Sequence, residues 1–316
     1  MTDPVGKGEG RMQDEQAEAQ ESLLVEPSSE EWRDPLMILA FAGWNDAAES
    51  ATSAAEFLVK AWAARQFASI DPEDFFHFAL LRPMVRFREG SDWGEREIVW
   101  PANHFFRSQA SGLPRNVIIG IGAEPHLRWK TFCRLVLDLA SRCKVSMVIT
   151  LGAFLADVPH TRPIKVSCVT ADRELAARLQ TTFTRYEGPT GIVGVLNDAC
   201  RRADIPTISL WAQVPHYISA VRNPHAILAL VRRVLDLLEW RADLTVLEES
   251  ARHFDAQLAE ILAQNPQVAE QVKQLEEREE ETGESERKTT MELPSTPELM
   301  KEIEQFLRQH RRESSS

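Results

Sequence analysis

Three expected strands lead into words that set a proline directly before a histidine: Glu124–Pro125–His126, Val158–Pro159–His160 and Val214–Pro215–His216. Close to these words stand Asp157 and, in a glycine-rich loop, Glu187. An imidazole within reach of a carboxylate can exchange protons near neutral pH, so Asp157, His160, Glu187 and His216 are the candidates for general acid–base catalysis. His160 and His216, with Asp157 or Glu124, could also hold a metal ion. No pair has a dedicated ligand spacing such as H-E-x-x-H, however, and no metal is predicted. The alternative reading makes each word a turn whose imidazole satisfies loop carbonyls.

A second chemistry is anion binding. Tyr186–Glu187–Gly188–Pro189–Thr190–Gly191–Ile192–Val193–Gly194 carries a G-x-x-G-x-x-G spacing that opens a helix, where backbone amides can hold a phosphate or carboxylate. Asn45, Asp46, Glu124, Arg162, Gly188, Thr190 and Gly191 form the candidate ligand-binding set. The spacing is not the dinucleotide fingerprint, and no Lys-Ser/Thr follows as in a P-loop, so a structural turn explains the same residues. No cofactor is predicted. There is no G-x-S-x-G nucleophile elbow, and Ser209 falls within a strand. The four cysteines show no C-x-x-C and read as structural thiols of a reducing compartment. Trp44, Trp129 and Trp211 read as packing residues.

Such groups need a frame. Residues 37–42 form an unbroken apolar run, as in a strand buried on both faces; Gly43 then gives a tight exit, and Asn45 or Asp46 can cap a helix over 47–64. Further strands are predicted at 75–80, 98–100, 116–122, 145–151 (ended by Gly152), 164–169 as an edge, and 207–212. Helices are predicted at 127–141, 172–183, 193–203 and from Asn223-Pro224 onward, where Asn caps and Pro takes the first turn. Strands separated by helices imply a three-layer α/β/α fold with a mostly parallel or mixed sheet. From Leu244 to Leu275 apolar residues step by three and four, interrupted by Asn265-Pro266, which predicts a helical hairpin packed on the molecule ahead of an intermolecular coil.

Charge divides the chain. Of the net −12, residues 33–264 contribute nothing (26 basic and 26 acidic), residues 1–32 contribute −7 and residues 265–316 contribute −5. A neutral core with acidic ends argues against a nucleic-acid partner. No apolar run approaches a membrane span and no leader is read, so a cytoplasmic location is expected. The predicted organisation is a disordered acidic arm (1–32), an α/β domain (33–243), a helical extension (244–275), a linker (276–295) and a short amphipathic helix (296–310). Leu299, Ile303, Phe306 and Leu307 on that last helix are the candidate partner-binding residues.

Phe41–Ala42–Gly43–Trp44–Asn45–Asp46–Ala47, Gly122–Ala123–Glu124–Pro125, Leu151–Gly152–Ala153, Asp157–Val158–Pro159–His160–Thr161–Arg162–Pro163 and Tyr186–Glu187–Gly188–Pro189–Thr190–Gly191 together resemble the PAC2 family, the proteasome assembly chaperone 2-like family, in its bacterial, actinobacterial-type branch. The resemblance covers about residues 35–240. It implies a phosphorylase- and peptidyl-tRNA-hydrolase-like α/β/α fold and homo-oligomerisation, a trimer among the options. In eukaryotic relatives it implies chaperoning of proteasome assembly. The chain departs from docking relatives in lacking a hydrophobic-Tyr-X tail: it ends Arg311–Arg312–Glu313–Ser314–Ser315–Ser316. Two functions follow, a protein-binding assembly factor on an enzyme-derived fold, and as the alternative a small-ligand binder or hydrolase- or phosphorylase-like enzyme using the strand-end His and carboxylates.

Overall fold

The computed structural model describes residues 22–27, 32–88, 94–108, 115–179, 181, 186–219 and 221–281. The strands are β1 (Leu23–Val25), β2 (Leu36–Ala42), β3 (Arg65–Ile70), β4 (Met84–Phe87), β5 (Arg96–Val99), β6 (Asn103–Ser108), β7 (Val117–Ala123), β8 (Met147–Ala156), β9 (Val166–Val169) and β10 (Thr207–Pro215). The α-helices are α1 (Ser50–Ala61), α2 (Trp129–Arg142), α3 (Arg173–Arg178), α4 (Ile192–Arg202), α5 (Pro224–Leu237), α6 (Thr245–Gln264) and α7 (Pro266–Glu281). Eight strands make one mixed sheet in the order β1-β3-β6-β7-β2-β8-β10-β9. The central β7-β2-β8-β10 run is parallel, and antiparallel ladders add β6, β3 and β1 on one side and β9 on the other.

The apolar run at the start of the ordered core is β2, and it faces both ways. Leu36, Ile38 and Ala40 meet α1 and α5, whereas Met37, Leu39 and Phe41 meet α2 and α4. Ala51, Ala54 and Ala55 are fully buried, so α1 lies close on the sheet. Side chains start the later helices: Asp172 accepts from the amides of Glu174 (2.9 Å) and Leu175 (3.0 Å), and Asn223 from that of Ala226 (3.1 Å). Beyond α5, Phe254, Leu258 and Ile261 of α6 and Val272 and Leu275 of α7 bury against Tyr217 and Ile218, the turn that follows β10.

Several boundaries differ from the sequence reading. The helix over 47–64 is a short 3-10 turn at Ala47–Glu49 followed by α1, and the chain then turns at Ala63 (φ 47°) into β3, where no strand was expected. Residues 75–80 are not a strand. The amides of Phe75 and Phe76 both donate to the Pro72 carbonyl (3.0 and 3.2 Å), a local turn, while Phe75 packs edge-on against Phe132 at 5.6 Å. β4 and β6 were not expected. Among the described residues β4 pairs with β5 alone, as a two-stranded arm off the β3–β6 connection. The helix expected at 172–183 is the short α3, with residues 180 and 182–185 outside those described.

Gly152 does not end its strand either. It sits opposite Trp211 in the parallel β8–β10 ladder, and a Cβ there would lie 2.5 Å from the indole. The missing side chain is the space that Trp211 occupies. Gly152→Ala should therefore cost about 1–3 kcal/mol by overpacking, and combining it with Trp211→Leu should recover part of that loss. A double-mutant cycle by urea denaturation checks this; strictly additive costs would refute the pairing.

Candidate functional site

β2 and β7 are parallel neighbours whose chains leave toward opposite faces, into α1 and α2. Between their carboxyl ends lies the crevice where α/β sheets place ligand sites. Gly43 makes the exit from β2 with φ 130°, and a Cβ there would meet that of Glu124 at 3.2 Å. Asp46, nearly buried, accepts from the amides of Ala51 (2.6 Å) and Thr52 (3.3 Å) and from the Thr52 hydroxyl, so it caps α1 from outside the helix. Burial pushes the Asp46 carboxyl above its ordinary range, and these hydrogen bonds oppose that shift.

Asn45 is buried, and its carbonyl accepts from the amide of Ala153 at 2.8 Å. Its Nδ2 donates to Glu124 Oε1 at 3.3 Å, and the same oxygen accepts from the amide of Ile192 at 2.7 Å. Gly191, the N-cap of α4, has no side chain to cap with, and a Cβ on it would fall 2.0 Å from Asn45 Nδ2. Glu124 thus supplies the missing cap in trans and occupies the position at the α4 N-terminus where a bound anion would otherwise sit. Of the anion-binding set, Asn45, Glu124 and Gly191 meet here. Gly188 and Thr190 lie on the exposed approach to α4, where Tyr186 donates from its hydroxyl to the Pro189 carbonyl at 2.8 Å. Arg162 and Asp157 are exposed in the loop after β8, which also carries the half-buried His160.

The imidazoles gather at a different place. His216 Nδ1 lies 3.1 Å from Asp157 Oδ1, yet the contact is not aligned as a hydrogen bond. The Tyr217 hydroxyl oxygen accepts from the backbone amide of His160 at 2.8 Å and shares a second hydrogen bond with His160 Nδ1, also at 2.8 Å. Around it, His225 Nε2 of α5 pairs with Asp255 of α6 at 2.6 Å, and Thr161 donates to Glu276 of α7. The polar cluster therefore joins the loop after β8 to the two C-terminal helices. Glu187 is exposed in the loop before α4 and makes no ion pair with these groups among the described residues. Tyr217, His225, Asp255 and Glu276 were not among the sequence candidates; Tyr217, adjacent to His216 and one of two tyrosines in the chain, carried the one available signal.

Other chemistry has little to stand on. All four cysteines are free and buried, and burial pushes the Cys133 and Cys143 thiols up to about 12 and about 11, leaving them protonated near neutral pH. Among the described residues no three His, Cys, Asp or Glu side chains are grouped to hold a metal ion. Two open grooves, of about 540 and 400 Å³, lie between the C-terminal ends of α2 and α4 and beside α5, away from the crevice. Trp44, read as a packing residue, is 49% exposed. No helix among the described residues is long and apolar enough to cross a membrane.

The His160 geometry has a pH signature. Burial lowers the His160 pKa, Asp255 and Glu276 oppose that shift, and His225 adds to it. The unfolded chain, titrating near 6.5, takes up the proton first, so this contribution to stability is complete above that pH and is lost as pH falls through the folded value. The urea midpoint should thus drop between pH 7.5 and 5.5, and His160→Gln should reduce the drop. An unchanged pH dependence would remove His160 as its source.

The family model of the PAC2 family matches residues 40–262. No functionally curated protein matches the chain. Among solved structures, a PAC2 family protein from Streptomyces avermitilis is 43% identical, with a TM-score of 0.70 over 76% of this chain and 100% of its own. A proteasome-assembly chaperone homologue from Mycobacterium tuberculosis is 39% identical, with a TM-score of 0.68 over 75% of this chain and 99% of its own. An archaeal proteasome activator from Pyrococcus furiosus shares the fold at 18% identity, with a TM-score of 0.61 over 76% of this chain and 97% of its own. A family match over most of the chain, joined to the sheet order and strand-end motifs described above, settles the assignment: this chain belongs to the PAC2 family, alongside its actinobacterial members.

Proposed function

We propose that this PAC2 family protein is a protein-binding assembly factor, acting in the cytoplasm and related in role to the proteasome-assembly chaperone homologue that it resembles over nearly all of that protein's length. One observation carries the reading. At the crevice where this scaffold would bind a ligand, three polar groups are engaged by the chain itself: Glu124 on the α4 amide, Asp46 on the α1 amides, Asn45 on Glu124. A site for a metabolite needs donors and acceptors left for the metabolite. Residues 33–243 would be the recognition domain and 244–275 its brace. Leu299, Ile303, Phe306 and Leu307 lie outside the described residues; in this reading they offer a further apolar contact to the partner.

A ligand at 100 times its Kd stabilises a protein by about 2.7 kcal/mol, which melting experiments resolve. Millimolar nucleotides, inorganic phosphate, Mg²⁺ or Zn²⁺ should leave the melting temperature unchanged, while co-expressed proteasome α-subunits should be captured by the full chain and less well by one ending at Leu293. A rise of several degrees with any small ligand, abolished by Glu124→Ala, would instead favour the small-ligand or enzymatic reading.

A further inference from the structure

We propose that Asn103 reads one peptide group of a partner protein, in the main chain of a segment that enters the carboxyl edge of the sheet beneath the turn at residues 72–77. The proposal rests on the protein-binding reading and gives that partner a point of contact.

Asn103 opens β6 and is 1% exposed. Its Oδ1 and Nδ2 are buried, and neither has a hydrogen-bond partner among the described residues. A side-chain amide can donate twice and accept twice, and a buried polar group left unpaired costs its full desolvation. Leucine has nearly the same shape and none of that cost. A second position helps to keep the amide in place. The Asn103 side chain lies over Gly122 of β7, where a Cβ would fall 2.0 Å from its Oδ1. Two neighbouring strands thus combine to hold an unpaired amide in the core, and such a departure from best stability marks a functional position.

The amide belongs to the side of the sheet that carries α2 and α4. A Cβ on Gly120 would meet Leu39 and Phe105 of that core, and Gly122 and Glu124 follow on the same face at intervals of two. The Glu124 carboxylate makes both of its hydrogen bonds through Oε1, and Oε2 has none among the described residues. Beside Oε2 stands Gly43, whose Cβ would lie 3.4 Å from it. The strip therefore offers an amide and then an open acceptor, over backbone left bare at two glycines. A peptide group fits Asn103 with its C=O and N–H, and a neighbouring N–H fits Oε2. The carboxylate repels an anion, and a single amide is too little for a polar metabolite, which needs several converging groups.

Ile70 stands opposite Asn103 in the β3–β6 ladder, so the 72–77 turn starts beside it. Phe75 of this turn and Phe41, the ladder neighbour of Gly122, both pack on Phe132, at 5.6 and 5.8 Å. The turn is tied to the segment after β7 by main-chain and surface contacts. The Phe75 carbonyl accepts from the amides of His126 (2.8 Å) and Leu127 (3.1 Å), the His77 amide donates to His126 Nδ1 at 3.0 Å, and Asp74 pairs with Arg128 at 2.6 Å. An entering segment can take over the amides of 126 and 127 and add the Asn103 pair, which the turn leaves unmade. Trp44 and Leu127, both about half exposed, flank the opening with apolar surface for its side chains.

The test compares the full chain with its Asn103→Leu and Asn103→Val variants, using N-acetyl-leucyl-glycyl-leucine methylamide as the peptide probe and nicotinamide as a free amide. Asn103→Leu should have a higher urea midpoint, because the unpaired amide is gone. Its affinity for the peptide should be about tenfold weaker, the loss of one good hydrogen bond. Hydrogen exchange on the wild type alone gives a readout independent of any variant: saturating peptide should speed exchange at residues 72–77. A lower urea midpoint for both variants, an unchanged peptide affinity, or exchange at 72–77 that the peptide does not alter would overturn the proposal. So would binding of nicotinamide without the peptide, which favours the small-ligand reading instead. Capture of proteasome α-subunits separates this site from the reading it rests on: undiminished capture by Asn103→Leu, with no peptide bound, removes the site and leaves the assembly role standing.

Discussion

Two carboxylates that leave neighbouring strands hold helices on opposite faces of the sheet. Asp46, just past β2, closes the N-terminus of α1, and Glu124, just past β7, closes that of α4. Neither helix has a side-chain cap of its own. Caps of this kind are worth roughly 0.5–2 kcal/mol each, modest beside the burial of β2. Their importance is positional. With both in place, the turns after β2 and β7, the start of α4 and the buried Asn45 become one hydrogen-bonded unit, and the two helical layers take their register from it.

The parallel half of the molecule was legible because its strands are apolar runs ended by Gly, Asn or Asp. β2 reads that way, β7, β8 and β10 are apolar-rich runs set between helical stretches, and α5 announced itself through Asn223-Pro224. The antiparallel half was not. Residues 65–70 follow a helical stripe with no breaker between, and the signal of the turn at Ala63 lies in its backbone conformation, not its identity. The aromatic run at 75–80 has strand composition, but Pro72 supplies a nearby carbonyl and the backbone closes on itself. Gly152 was misread because its reason, Trp211, lies 59 residues further on. The site shows the same limit. Asn45, Glu124 and Gly191 were all named, but no spacing rule reveals that they share one carboxylate, or that Glu187 stands apart from His160.

The histidines show how a catalytic-looking set can be structural. His160 is bonded to Tyr217 through both its backbone amide and its ring, and burial lowers the pKa of that ring. An imidazole with its Nδ1 engaged by a buried tyrosine is a poor proton shuttle. It is a good positional lock. The apolar seam of Phe254, Leu258, Ile261, Val272 and Leu275 supplies the attraction that holds α6 and α7, but such a seam slides easily along its length. The His225–Asp255 pair and the Thr161–Glu276 contact are exposed and individually worth little. Acting with His160 at fixed points along the seam, they select one register.

A sheet of this kind ordinarily leaves unsatisfied groups at its carboxyl edge, because the loops there are free to vary while the scaffold stays rigid. Here the chain has filled much of that edge with its own side chains, Asn45, Asp46 and Glu124. Fold alone does not decide function; what remains unsatisfied does. On this molecule the unsatisfied surface is apolar, concentrated in an arm off the antiparallel half, with Trp44 and Leu127 exposed just past β2 and β7. Apolar surface gains nothing from a small polar ligand and a great deal from a second macromolecular surface. The filling of the crevice and the exposure of the arm are therefore two sides of one division of labour: the polar residues hold the fold, and the apolar ones face outward to whatever it meets.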